Sequence, residues 1–204
     1  MYEELIEIGY CCLTIESEKD LIELACKLGK IQYSRKNSSQ YIDLLTVNQK
    51  ATQRGLSSKY KDGEFPFHTD GAYLLTPPNY VVLRCEQEIN SCPTILSLID
   101  LNDNDLLTLK RDVWLVNGGR GKFYSSILSN TNNKNIIRYD EDCMRPITSI
   151  RSKDLIHRLI SDSKKVEINW RRNLTVVIDN WRILHKRSDA KNSEERVLQR
   201  IWST

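Results

Sequence analysis

The chain has 204 residues, 40% hydrophobic and 28% charged, with a formal net charge of +3, enough apolar material for one good-sized core and so for one domain over residues 1–204. That balance, with no basic run interleaved with aromatics, argues against a nucleic-acid surface, and no apolar run reaches membrane-spanning length. The opening Met1-Tyr2-Glu3-Glu4-Leu5-Ile6-Glu7-Ile8 is acidic and lacks the cationic start and apolar centre of a signal peptide.

Gly9-Tyr10-Cys11-Cys12-Leu13-Thr14-Ile15 reads as a short strand, with Cys11 and Cys12 on opposite faces, one buried and one half-exposed. With Cys26, Cys85, Cys92 and Cys143 they form no Cys-X-X-Cys pair, so reduced thiols in a cytoplasmic protein are expected. Ser17 offers a cap for a helix in which Leu21, Leu24, Ala25 and Leu28 recur at helical spacing, Glu23 and Lys27 face water, and Gly29 supplies the stop. Residues 32–63 are polar, with loops expected at 34–40 and 57–63. The second loop enters the strand-like stretch 65–70 directly and should form one rim of a pocket.

Within Phe65-Pro66-Phe67-His68-Thr69-Asp70, residues two apart share a face, so His68 and Asp70 can grip one metal ion while Thr69 turns away. Leu174-Thr175-Val176-Val177-Ile178 reads as a buried strand, Asp179-Asn180 as a turn, and His185 after it as the third ligand. Two histidines and one carboxylate are the minimal protein ligand set of an oxygen-activating ferrous centre, and they leave open positions for small molecules. Between these segments, Asn102-Asp103-Asn104-Asp105 caps a short helix over 106–111, and 122–128 with 135–140 suggest a hairpin around the polar 129–134. Ile136, Arg138 and Asp140 share a face there. Either that face is solvated or joined by an Arg138–Asp140 salt bridge, or the acidic Asp140-Glu141-Asp142 attracts a cationic substrate to the mouth. Residues 152–163 form an amphipathic helix with His157 as an ordinary histidine on its polar side. Finally, Arg196-Val197-Leu198-Gln199-Arg200-Ile201-Trp202 alternates like a strand, with Arg196, Leu198 and Arg200 on one face. Two guanidinium groups on an otherwise apolar face need anions to balance them.

Taken together, these patterns resemble the taurine dioxygenase-like family of Fe(II)/2-oxoglutarate-dependent oxygenases, from the first residues to Trp202. Phe67-His68-Thr69-Asp70-Gly71-Ala72-Tyr73 and the strand after Pro77-Pro78 are similar to the segment with the first two iron ligands. Asp179-Asn180-Trp181-Arg182-Ile183-Leu184-His185-Lys186-Arg187 looks like the distal-histidine segment of the gamma-butyrobetaine hydroxylase branch. Arg196, eleven residues past His185, stands at the family offset of the arginine that binds the far carboxylate of 2-oxoglutarate, and Thr94 matches the threonine that assists it, although Ser91-Cys92-Pro93 replaces the usual glycine-rich pair. The implied fold is mostly β with flanking helices, a double-stranded β-helix or jelly-roll barrel with helices packed on one outer sheet. The shortness of the chain implies trimmed lid loops and an open pocket.

The implied cofactors are Fe(II) on His68, Asp70 and His185, 2-oxoglutarate on Arg196 and Thr94, and O2. The implied reaction is hydroxylation, since related halogenases replace the carboxylate at the position of Asp70; desaturation and ring closure use the same ligands. Arg200 matches an arginine that receives an anionic group of the primary substrate, and Arg138 and Asp140 lie in a segment similar to one near the substrate in related enzymes. A terminal-strand arginine can equally form a structural ion pair. The expected partner is a small carboxylate- or sulfonate-bearing molecule, an amino acid or derivative, with an amino acid held on a carrier protein or peptide as the larger alternative. A catalytically silent metal-binding barrel and a cupin-like oxygenase without 2-oxoglutarate are the rival classes, and neither needs Arg196.

Overall fold

The structure is a computed structural model that describes residues 1–33, 40–47, 59–87, 92–118, 121–131, 134–191 and 196–204. Of the expected loops, residues 34–39 and 57–58 lie outside the described residues, as do the hairpin-turn residues Asn132 and Asn133.

The run that begins at Leu174 becomes β13 (Leu174–Asp179), in which Thr175, Val176, Val177 and Ile178 are all buried. A strand apolar on both sides must be covered on both. It lies inside the larger sheet, between β1 (Tyr10–Thr14) and β5 (Tyr80–Cys85). Next to β5 comes β15 (Val197–Ser203), whose outer edge pairs with β2 (Ile31–Gln32) and β3 (Asp43–Thr46). The smaller sheet has the order β12 (Lys164–Ile168), β6 (Thr94–Leu98), β14 (Ile183–Arg187), β4 (Phe65–His68). Every pairing in both sheets is antiparallel.

Alternation then assigns the side chains. Val81, Leu83, Val176, Ile178, Leu198 and Trp202 of the larger sheet meet Leu96, Ile168 and Ile183 of the smaller one in a shared core between the two layers. The opposite faces carry Val82, Val177 and Ile201, which pack on Leu5, Leu21, Leu24 and Ala25. The last three belong to α2 (Glu18–Leu28), whose start is capped as expected: Ser17 Oγ accepts the Asp20 N–H at 3.1 Å. Gly29 ends α2 because of a close approach, since a Cβ there would sit 2.3 Å from the Thr204 carbonyl oxygen.

Helices cover both sheets, not one. The smaller sheet presents Leu184 and Phe67 to a third core with Leu109, Trp114, Tyr139 and Ile156, which is built from α3 (Asp103–Arg111) and α4 (Arg151–Asp162). The expected cap is present at the start of α3, where Asn102 and Asp105 form a reciprocal capping box, and the helix begins at Asp103, ahead of the expected 106–111. Two elements differ from expectation. The acidic N-terminus forms a further helix, α1 (Tyr2–Ile8), closed by Gly9 at φ 86°, where the absence of a Cβ removes the left-handed penalty. The predicted hairpin is also re-partnered: β8 (Lys122–Ser125) pairs with β7 (Trp114–Asn117), which pairs in turn with β11 (Met144–Pro146), while β9 (Leu128–Thr131) pairs with β10 (Lys134–Ile137). Between β8 and β9 lies fully buried Ile127, whose carbonyl accepts the Arg138 N–H at 2.7 Å.

Candidate metal centre and anion pocket

The smaller sheet brings the two histidines together by register. His185 of β14 stands directly opposite His68 of β4, with ring centroids 4.5 Å apart. The expected strand over 65–70 stops at His68, so Asp70 is placed by a turn rather than by strand alternation. Asn180, at the turn between β13 and β14, clamps Asp70: its Oδ1 accepts the Asp70 N–H at 2.9 Å, and its Nδ2 donates to the carbonyls of Asp70 at 3.0 Å and Pro78 at 2.8 Å. Thr69 turns away as expected and anchors the segment, its hydroxyl donating to Ile137 O at 2.8 Å and its N–H to Tyr139 O at 2.7 Å. Gly71 then turns the chain at φ 68°, where a Cβ would also meet Pro78 at 2.8 Å.

In this arrangement one ligand atom from each of His68, Asp70 and His185 lies within 4.8 Å of the others. His68 Nδ1 is 2.9 Å from the Pro66 carbonyl, so Nδ1 carries the proton and donates it. The Nε2 of a neutral His68 is therefore an acceptor, yet it faces Asp70 Oδ1 at 3.2 Å. Two acceptors at that separation call for a proton or a metal cation between them. His185 Nε2 is 3.8 Å from the same oxygen. Burial, and then neighbouring His68, push His185 down to about 3, which keeps it neutral and ready to ligate. Burial alone would raise the Asp70 carboxyl, but the charge of Arg200 holds it well below the usual carboxylate range. The donor set fits a divalent cation.

These ligands lie at one side of a cavity of about 460 Å³, whose walls include Tyr60, Thr94, Asp140, Arg196 and Arg200. Tyr60 bears out the expected rim over the described part of the 57–63 loop. Arg196, Leu198 and Arg200 share the cavity face, while Ile201 and Gln199 point the other way, Gln199 towards Arg84 and Glu18. Arg196 is 6% exposed; Nη1 donates to Cys92 O at 3.0 Å, and buried Nε has no partner. No carboxylate pairs with it among the described residues, and burial lowers its affinity for its own proton. An anion entering the cavity would relieve that penalty. Buried Thr94, on β6, accepts the Trp170 indole N–H at 3.1 Å, which leaves its own O–H proton available to a ligand.

Arg138 and Asp140 behave differently from the solvated or mutually bridged pair weighed from sequence. Arg138 is 2% exposed and caps the carbonyls of Ala72, Leu74 and Leu75, the last at 2.8 Å, which ties down the chain just past Asp70. Burial pushes it down to about 10, and it does not line the cavity. Asp140 does line it; its carboxyl is raised by burial, and its Oδ1 accepts the Asp142 N–H at 2.8 Å. The other two acids of the cluster are engaged: Asp142 with Lys59, and Glu141 with Tyr139 Oη at 2.7 Å and His157 Nε2 at 2.8 Å. His157 is thus a half-exposed strut on the Asp140 loop, not an idle surface residue. Arg200 reaches Asp70 and Asp43 at once, through Nη1 and Nη2.

Asn180, Trp202, Asp43 and Trp170 escape a reading of the sequence. Asn180, just after β13, was visible as a turn signal, but its grip on a residue 110 positions away was not.

Residues 103–202 match the family described as taurine catabolism dioxygenase TauD, TfdA, a shorter stretch than the near full-length resemblance expected. No curated protein matches the chain. An asparagine oxygenase, solved with Fe(II), 2S,3S-3-hydroxyasparagine and succinate, is similar in structure with TM-score 0.77 at 14% identity, over 98% of this chain and 76% of that one. The non-heme iron oxygenase OrfP, solved with Fe and alpha-ketoglutaric acid, gives 0.79 at 13% identity, over 100% and 77%. The PvcB protein from Pseudomonas aeruginosa gives 0.71 at 16% identity, over 98% and 77%. At such identities the likeness is one of fold, the double-stranded β-helix. Residues 103–202, the stretch similar to the TauD, TfdA family, carry His185, Arg196 and Arg200, whereas His68, Asp70 and Thr94 lie before it.

Proposed function

We propose that residues 1–204 act as one Fe(II)- and 2-oxoglutarate-dependent dioxygenase domain that hydroxylates an unactivated C–H bond of an amino acid or a close derivative. One observation carries this reading: His68, Asp70 and His185 converge within 4.8 Å beside a cavity in which buried Arg196 has no carboxylate partner among the described residues. A silent metal-binding barrel or a cupin-like oxygenase has no use for that uncompensated guanidinium.

Ferrous iron with 2-oxoglutarate and O2 supplies the oxidising chemistry when bound. The residues of the chain bind and orient. His68, Asp70 and His185 would hold the ion, and the Pro66 carbonyl fixes the His68 tautomer that offers Nε2. Arg196 receives the distal carboxylate of 2-oxoglutarate as a planar fork, and the Thr94 hydroxyl adds a hydrogen bond. Asp140, on the cavity wall, accepts a donor from the substrate. Arg200 lines the same wall and stands as a second candidate for a substrate anion, although its charge already faces Asp70 and Asp43. An asparagine oxygenase and the OrfP complex with a hydroxylated arginine are among the similar folds, which favours an amino-acid substrate. The six free thiols suit a reducing compartment, and we place the enzyme in the cytoplasm.

The test is succinate formation by purified protein with Fe(II), ascorbate and 2-oxoglutarate, with and without a panel of amino acids. Slow uncoupled turnover that rises with one amino acid supports the reading. Metal binding without any 2-oxoglutarate turnover, across the whole panel, returns the protein to the silent class.

A further inference from the structure

The two oxygens of Asp70 keep different company. Oδ1 faces the histidines, 3.2 Å from His68 Nε2 and 3.8 Å from His185 Nε2. Oδ2 accepts the Trp202 indole N–H at 2.9 Å, and Arg200 Nη1 lies nearer to it, at 3.2 Å, than to Oδ1, at 3.4 Å. Arg200 is itself held. Its Nη2 meets Asp43 Oδ2 at 3.1 Å, and its guanidinium lies over the Trp202 ring, 4.6 Å from the centroid.

Strand pairing sets this strut. Asp43 is the register partner of Arg200 where β3 runs beside β15, and Arg200 and Trp202 are two apart on β15, so they share the face that looks at Asp70. Asp43 is 14% exposed and Trp202 is 3% exposed, so these contacts are shielded from the solvent screening that empties surface ion pairs of value. With Oδ2 occupied from two directions, only Oδ1 is offered to an ion between the histidines, and one-point ligation leaves more of the metal face to small molecules.

We propose that Asp43 and Trp202 are positioning residues for the metal-ligating carboxylate: Asp43 by holding Arg200, and Trp202 by its indole N–H, they tie down Asp70 Oδ2 and present Oδ1 alone to the metal. This rests on the reading of His68, Asp70 and His185 as the metal ligands. It also makes Arg200 a strut between two carboxylates, whereas Arg196, on the same wall, has no carboxylate partner among the described residues.

The experiment titrates Co(II), a spectroscopic substitute for Fe(II), into the metal-free full chain, reading the dissociation constant and the ligand-field absorption band, with the metal-free Tm of each variant as a control. Asp43→Asn keeps the shape and removes the charge that holds Arg200; Trp202→Phe keeps a ring under the guanidinium and removes the N–H. Each is expected to weaken Co(II) binding about tenfold to a hundredfold, the usual loss when a metal ligand is left unsupported, and to shift the absorption band while the metal-free protein stays folded. An unchanged constant and band in both variants overturns the proposal, as does a loss of affinity that appears only where the metal-free Tm collapses. A wild-type chain that does not bind Co(II) overturns the metal centre itself and this proposal with it, an outcome distinct from variants that match a binding wild type.

Discussion

Replacing Arg196 by Lys tests the co-substrate assignment most sharply, because the structure separates the charge of that residue from its geometry. Arg196 is 6% exposed, spends Nη1 on the Cys92 carbonyl at 3.0 Å, and has a buried Nε without a partner. The edge left open is a fork that fits both oxygens of one carboxylate. Lysine keeps the charge but loses the fork, so one charge-assisted hydrogen bond of about 1.5–3 kcal/mol is forfeited. At about 1.4 kcal/mol per factor of ten, 2-oxoglutarate binding should weaken roughly tenfold to a hundredfold. The assay is anaerobic titration of 2-oxoglutarate into the Fe(II)-loaded protein, alongside succinate formation against 2-oxoglutarate concentration. A companion variant, Arg196→Met, removes a buried cation that no carboxylate balances among the described residues. The ligand-free protein should then be no less stable in urea, while 2-oxoglutarate dependence is lost. An Arg196→Lys variant with unaltered 2-oxoglutarate affinity would refute the assignment, and a markedly destabilised Arg196→Met would show that the charge is balanced after all.

His185→Ala and Asp70→Asn should each abolish specific Fe(II) binding and leave a folded protein, as read by metal titration and circular dichroism; full retention of activity in either sinks the ligand assignment. Thr94→Val should weaken 2-oxoglutarate by about 0.5–1.5 kcal/mol and, because the buried Trp170 N–H loses its acceptor, also cost about 1–3 kcal/mol of stability, whereas Thr94→Ser should restore both. If Val and Ser behave alike in both measurements, the hydroxyl has no role. Arg138→Gln should cost about 2–4 kcal/mol in denaturant unfolding, since the carbonyls of Ala72, Leu74 and Leu75 lose a charged donor. A neutral result there would mean that the Ala72–Leu75 turn holds itself.

Residue type and local period determined much of this protein. The capped helices α2 and α3, the apolar strand from Leu174 and the alternation that puts Arg196, Leu198 and Arg200 on one face follow from short-range rules, because side-chain direction repeats every two residues in a strand and every three to four in a helix, and residue type alone marked His68, Asp70 and His185 as candidate ligands. Tertiary structure alone decided which strand each segment pairs with, as the re-partnered β8 shows, and what each charge meets. Arg138, Asp140 and Arg200 look alike in sequence as polar residues on strand faces. In the fold, one caps three carbonyls, one faces the cavity, and one is held between Asp43 and Asp70. Even the placement of Asp70 needs Asn180 from 110 residues away. The partners that set a buried charge's role are brought by the sheet register and not by neighbours along the chain, and a local period carries no information about register between distant strands.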